Sequence, residues 1–337
     1  MSNSRTIKEA SLHRLLSDIL KSGRSLVAPV IERERHYFRK VSSADSVALP
    51  AVNAANSIKE FFFPRWEALF GFKRSGGTVE IVGVDTQGVS PLVVFGARPC
   101  DAASLEILDK VFNWDSADSS WNARREAATV IAVGCRRADE YCFCTSVGLS
   151  PASRAGADVF LAPAAGDEYI VEAVTAKGEA FVKEFAKHFA ASPDVKPTDL
   201  AVPKRVDVAG IAKELAGKFD SDLWHEASER CLGCGICTYS CPTCHCFDIQ
   251  DEADGEKGAR FRGWDSCSFA LFTKHTSGHN PRGRNASRRR QRIMHKFSYY
   301  PALFGIISCT GCGRCGRMCP VDLGVEETLE MIAEGGK

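Results

Sequence analysis

Cysteine spacing constrains this chain more than any other feature. Two blocks repeat one pattern: Cys231-Leu-Gly-Cys234-Gly-Ile-Cys237-Thr-Tyr-Ser-Cys241-Pro242 and Cys309-Thr-Gly-Cys312-Gly-Arg-Cys315-Gly-Arg-Met-Cys319-Pro320. Each is the C-x2-C-x2-C-x3-C-P run that holds 4Fe-4S clusters in two-cluster ferredoxins. The x2 spacing winds the backbone round one cluster, so three thiolates converge on it. The fourth cysteine is turned away by the proline that follows and reaches the other cluster. The pattern assigns Cys231, Cys234, Cys237 and Cys319 to a first cluster, and Cys309, Cys312, Cys315 and Cys241 to a second. A structural zinc site would use two ligand pairs across a longer loop, and a redox motif a single C-x-x-C pair. The stretch from Gly311 to Gly316 formally fits G-x-G-x-x-G, but its cysteines are already committed to a cluster, so the dinucleotide reading fails.

The chain has 15 cysteines in 337 residues, and its amino terminus shows no apolar run of the kind that begins a secretory signal. In a reducing compartment such thiols mean metal rather than disulfides. A cytoplasmic protein without membrane insertion is expected, since no apolar stretch approaches the roughly 20 residues needed to cross a bilayer. The net charge of +1 gives no global field for nucleic acid. The basic run from Arg282 to Arg292 lacks aromatic interleaving, so docking of an acidic partner or screening of the clusters is the stronger reading. Cys244, Cys246 and Cys267 lie in the insert between the blocks. The default for Cys244 and Cys246 is buried free thiols rather than spare ligands.

Residues 1–200 read as an α/β domain, a mixed sheet with flanking helices, and residues 201–337 as a small α-helical or irregular ferredoxin-like dicluster domain. The Pro-rich stretch 191–203 marks the boundary. A helix is predicted over Lys8–Lys21, strands at Ser25–Ile31, Thr78–Val84, Leu92–Phe95 and Thr129–Val133, and helices at Ala102–Phe112 and Glu179–Phe189. Asp158–Leu161 and Tyr169–Val174 form a candidate hairpin. Cys100, Cys135, Cys142 and Cys144 follow strand ends, where sites gather in α/β sheets. Four thiols in neighbouring loops are enough for a third 4Fe-4S cluster; a zinc site or unligated thiols stay open as alternatives. Asp101 flanks this set, or caps the following helix. His275 and His279, four apart, fall in a loop. No catalytic side-chain arrangement stands out.

With these residues in view, the chain resembles the iron–sulfur β subunit of cytosolic nickel–iron sulfhydrogenases and the A subunit of anaerobic sulfite reductase. The resemblance shows in Arg98-Pro-Cys-Asp101, Cys142-Phe-Cys144-Thr-Ser-Val-Gly148, Cys241-Pro-Thr-Cys244-His-Cys246-Phe247 and His295-Lys296-Phe297. It implies an electron-transfer subunit between a flavin/NAD(P)-binding diaphorase subunit and a hydrogenase- or sulfite-reductase-type subunit. The alternative is a self-contained iron–sulfur flavoenzyme with its flavin or substrate site in the α/β domain. On the relay reading, Arg314 and Arg317 are expected to raise the potential of the second cluster.

Overall fold

The structure is a computed structural model and describes residues 5–83, 89–191 and 194–334. Val84, Ser192 and Pro193, which fall inside expected segments, lie outside the described residues. The strands are β1 (Arg5–Lys8), β2 (Ser25–Glu32), β3 (Arg35–Val41), β4 (Trp66–Ser75), β5 (Thr78–Gly83), β6 (Leu92–Ala97), β7 (Ala128–Val133), β8 (Val159–Pro163), β9 (Glu168–Ala173), β10 (Ala190–Ala191), β11 (Phe247–Asp254) and β12 (Lys257–Trp264). Helices α1 (Glu9–Lys21), α2 (Pro99–Phe112), α3 (Ser119–Ala127) and α4 (Ala176–Glu184) belong to the first part of the chain. The second part holds α5 (Ile211–Gly217), α6 (Leu223–Glu226), α7 (Ile236–Tyr239), α8 (Asn285–Met294), α9 (Tyr300–Phe304), α10 (Arg314–Arg317) and α11 (Val325–Ala333), with a π-helical turn at His295–Tyr299.

Eight strands form one mixed sheet in the order β10-β1-β9-β8-β7-β6-β2-β3. Its centre, β8-β7-β6-β2, is parallel, and the hairpins β2–β3 and β8–β9 are antiparallel. The apolar runs in β6 and β7 are explained by burial on both faces. Val94 and Val130 face a core shared with α2, Phe62 and Trp121. Their neighbours Val93, Phe95 and Ile131 face the opposite core, with Leu15 and Leu16 of α1 and Phe181 of α4. The parallel strands end at one edge, and Cys100 and Cys135 follow β6 and β7 there.

The second sheet, β11-β12-β4-β5, is antiparallel throughout. Here β4 and β5 from the first part of the chain pair with a hairpin from the insert between the cysteine blocks. Trp66 stacks on Phe261 at 5.2 Å. Glu67 bonds Arg262 at 2.5 Å, both buried, tying the sheet together at its base. A strand was expected over Thr78–Val84; the described part, Thr78–Gly83, is one, and it is the exposed outer strand of this sheet. Its polar alternation, Thr78 and Glu80 between Val79 and Ile81, suits an edge open to water.

A third core joins α5, α6, α8 and α11 to the cysteine blocks through Leu215, Trp224, Ile293, Phe297 and Leu329. Phe143, from the loop after β7, is fully buried in the same core. No helix among the described residues is long and apolar enough to cross a membrane.

Candidate iron–sulfur centre

The upstream cysteines are brought to one place by the ends of β6 and β7. Cys100 stands in the first turn of α2, where Pro99 occupies the position whose missing N–H costs nothing. Arg98, buried just before it, stitches the strand ends together. Its guanidinium donates to the carbonyls of Val52 at 2.7 Å, Gly134 at 2.8 Å and Pro50. Cys100, Cys135, Cys142 and Cys144 line a single cavity with Arg98, Asn53, Gly311 and Cys312. Burial raises the Cys100 thiol well above its usual range and pushes Cys135, Cys142 and Cys144 up to about 11. Thiols so desolvated stay neutral until a cation takes the place of their protons.

The second block lies directly against this cavity. The Phe143 N–H donates to the Gly311 carbonyl at 3.0 Å, and Asn53 donates to the Cys312 carbonyl at 2.8 Å. Gly311 has φ +60°, and a Cβ there would lie 2.5 Å from Cys144 Cα, so only glycine allows the two loops to meet.

The end of each block lies against the other block or the segment beside it. Lys296 Nζ donates to Cys241 Sγ at 3.4 Å and to the Ser308 carbonyl at 2.8 Å, while Thr243 Oγ1 reaches Ser308 at 2.9 Å. That seats Cys241 beside Cys309. Cys319 follows Met318, which shares a groove with Cys234, and precedes Val321, whose carbonyl accepts from Arg230 at 2.9 Å. Backbone N–H groups of Gly233, Gly311 and Val325 donate to the sulfurs of Cys231, Cys309 and Cys315 at 3.4 to 3.5 Å.

The surrounding charges test whether iron–sulfur clusters fit. Lys59, Arg289, Arg292 and Lys296 are buried, and none forms a salt bridge with a carboxylate among the described residues. Arg292 donates to Cys244 Sγ at 3.2 Å and to the Cys237 carbonyl at 2.7 Å; Lys59 donates to the Cys244 carbonyl at 2.8 Å. Burial lowers Lys59 to about 8. Burial also opposes the charge on Lys296, but the sulfurs of Cys241 and Cys244 outweigh it and hold the ammonium above its usual range. Buried cations without partners are costly, and thiolate-ligated clusters would supply the missing negative charge. Arg292 Nε and Thr310 Oγ1 are further buried donors to which the protein offers no acceptor. The site therefore fits the group.

Arg314 and Arg317 do not stand as free cations. Arg314 is fully buried and paired with Asp101 at 2.8 Å, and Arg317 holds Asp139 at 2.7 Å through two nitrogens. Both pairs clamp the second block to the upstream cysteine loops. Asp101 also accepts the Arg98 N–H at 3.4 Å, so it caps α2 and flanks the cavity at once.

The basic run separates into inward and outward members. Arg288, Arg289 and Arg292 are buried on one face of α8, and Arg284 is exposed. Cys244, Cys246 and Cys267 gather near Arg292. The free thiols of Cys246 and Cys267 are neighbours, and so are those of Cys244 and Cys241. Sequence reasoning read Cys244 and Cys246 as buried free thiols by default and gave Cys267 no role; the common link of all three to Arg292, 25 or more residues away in the chain, has no local signature. His275 and His279 lie in a loop. No three Cys, His, Asp or Glu side chains among the described residues close round a single ion.

Comparison with known proteins agrees with this site. The model of the 4Fe-4S dicluster domain family matches residues 230–323, which span both cysteine blocks. A curated relative, the sulfhydrogenase 2 subunit beta of Pyrococcus furiosus, is 32% identical over 329 residues, covering 94% of this chain and 94% of the relative. The chain belongs to the sulfhydrogenase β-subunit family. Membership reaches well beyond the dicluster domain and takes in the α/β part with its four upstream cysteines. The sulfhydrogenase β-subunit family is one of iron–sulfur electron-transport proteins, and the self-contained flavoenzyme reading is not favoured. No solved structure matches the chain.

Proposed function

We propose that this chain is the electron-transfer subunit of an oxidoreductase complex. It would relay single electrons between a flavin/NAD(P)-binding diaphorase subunit and a catalytic subunit of hydrogenase or sulfite reductase type. A bound 4Fe-4S cluster supplies one-electron exchange with little change of geometry. The first cluster is held by Cys231, Cys234, Cys237 and Cys319, and the second by Cys309, Cys312, Cys315 and Cys241. A third belongs to Cys100, Cys135, Cys142 and Cys144.

The observation that carries the reading is the shared wall between the upstream cavity and the second block, where Gly311 and Cys312 line the cavity of the four upstream cysteines. The two sets are thereby in file, with no intervening layer of protein. Residues 1–200 serve as the scaffold of the third set and residues 201–337 as the dicluster domain. A cytoplasmic setting, without membrane insertion or nucleic acid, suits the reducing conditions that thiolate ligands require. A Cys142→Ser/Cys144→Ser variant, purified without oxygen, should lose about four irons per chain while the remaining clusters keep their spectra. An unchanged iron content would remove the third cluster from the relay.

A further inference from the structure

Of the fifteen cysteines only Cys234 is exposed; the others are half-buried or buried. Two residues before it in the chain, Leu232 is 65% exposed, and Leu271 on the neighbouring loop is 70% exposed. That loop and the start of α8 after it are laid directly on the first block. Asn285 Nδ2 donates to the Cys231 carbonyl at 2.8 Å, and a Cβ on Gly235 would lie 2.5 Å from the Phe269 ring. Cys234 itself opens onto a groove lined by Tyr37, Arg65, Tyr239, Phe269 and Met318.

The charge of the covering segment is one-sided. Between Asp265 and Asp322 the chain carries ten Lys and Arg and not one carboxylate. Five of them, Arg288, Arg289, Arg292, Lys296 and Arg314, are buried. Lys274 and Arg284 are exposed and Arg282 is half-buried, on the stretch that borders the first block. Exposed apolar residues rimmed by unopposed cations, over the one cysteine that reaches the surface, have the make-up of a docking site: apolar centre, charged rim.

We propose that the surface over Cys234, centred on Leu232 and Leu271 and rimmed by Lys274, Arg282 and Arg284, is the port through which an acidic redox protein exchanges electrons with this chain. The proposal rests on the assignment of the first cluster to Cys231, Cys234, Cys237 and Cys319. It places the port at the end of the file opposite the upstream cysteines, so the relay runs from the α/β sheet edge to this face. Nucleic acid is a poorer occupant, because half of the arginines in the run that would grip phosphates, Arg288, Arg289 and Arg292, are buried.

The test uses the reconstituted full chain and a reduced flavodoxin, an acidic one-electron donor, in stopped flow. In each transfer the anionic flavin hydroquinone gives up one electron and becomes the neutral semiquinone, while one cluster gains that electron; no proton moves. Reduced methyl viologen, small and not acidic, serves as the control donor. The wild-type rate with flavodoxin should fall steeply with added salt. Lys274→Glu/Arg284→Glu should slow it by roughly tenfold or more at low salt, and Leu271→Asp should slow it too. Iron content, cluster spectra and the methyl viologen rate should stay as in the wild type. An unchanged flavodoxin rate in these variants, with iron intact, would overturn the port alone. So would tight, salt-sensitive binding of a labelled single-stranded oligonucleotide that blocks no electron transfer. A wild-type chain that assembles no iron at the first block would overturn the port together with the relay beneath it.

Discussion

Lys296 shows how one side chain can be read only once its neighbours are known. In the sequence it is a single basic residue after His295; in the structure its ammonium touches Cys241 Sγ, Thr243 Oγ1 and the Ser308 carbonyl in a buried site. Arg314 and Arg317 looked better placed for tuning, because they lie inside the second block. Their carboxylate partners, Asp101 and Asp139, are more than 170 residues away in the chain, so the neutralisation was invisible without the fold. A positive charge beside a cluster favours its reduced, more negative state. Lys296→Met should therefore lower the potential of the second cluster by about 60 mV or more, one decade in a one-electron equilibrium. Lys296→Arg should keep most of it, and Arg317→Ala should move it much less. Potentiometric titration followed by electron paramagnetic resonance gives all three values. The dicluster pattern itself was legible because it is written in the local spacing of the cysteines.

Among the elements, those with a strong local signal were readable and those defined by distant pairing were not. The Leu12, Leu15, Leu16 and Ile19 stripe announces α1, and the apolar runs of Leu92–Phe95 and Thr129–Val133 announce β6 and β7. By contrast β11, Phe-Asp-Ile-Gln-Asp-Glu-Ala-Asp, is exposed along its whole length and owes its form to pairing with β12. Its acidic composition hid it. The join between the upstream loops and the second block is likewise a matter of fit between elements. The glycines of Cys-Thr-Gly-Cys-Gly were readable as places of close approach, but not what approaches. Because a Cβ at Gly311 would lie 2.6 Å from the Phe143 carbonyl carbon as well as 2.5 Å from Cys144 Cα, Gly311→Ala must push two backbones apart. The cost should be about 1–3 kcal/mol, seen as a lower denaturation midpoint. The iron of the upstream set should be lost first when a chelator is added. A variant as stable and as iron-rich as the wild type would mean that the loops do not meet as described.

At the scale of the whole molecule the two parts of the chain are interleaved. The insert between the cysteine blocks contributes β11 and β12 to a sheet begun by β4, Phe143 of the α/β part is buried among the helices of the dicluster part, and Arg314 reaches back to Asp101. Composition suggested a division at the 191–203 stretch, whereas these crossings depend on pairs of residues far apart in sequence. They explain why the four upstream cysteines, which lack ferredoxin spacing, end up against Cys312. The central claim is that this one chain carries three 4Fe-4S clusters in file. Iron and acid-labile sulfide counted on the anaerobically purified full chain test it most directly. The account predicts about twelve of each per chain. A stable value of about eight, unchanged in the Cys142→Ser/Cys144→Ser variant, would contradict it.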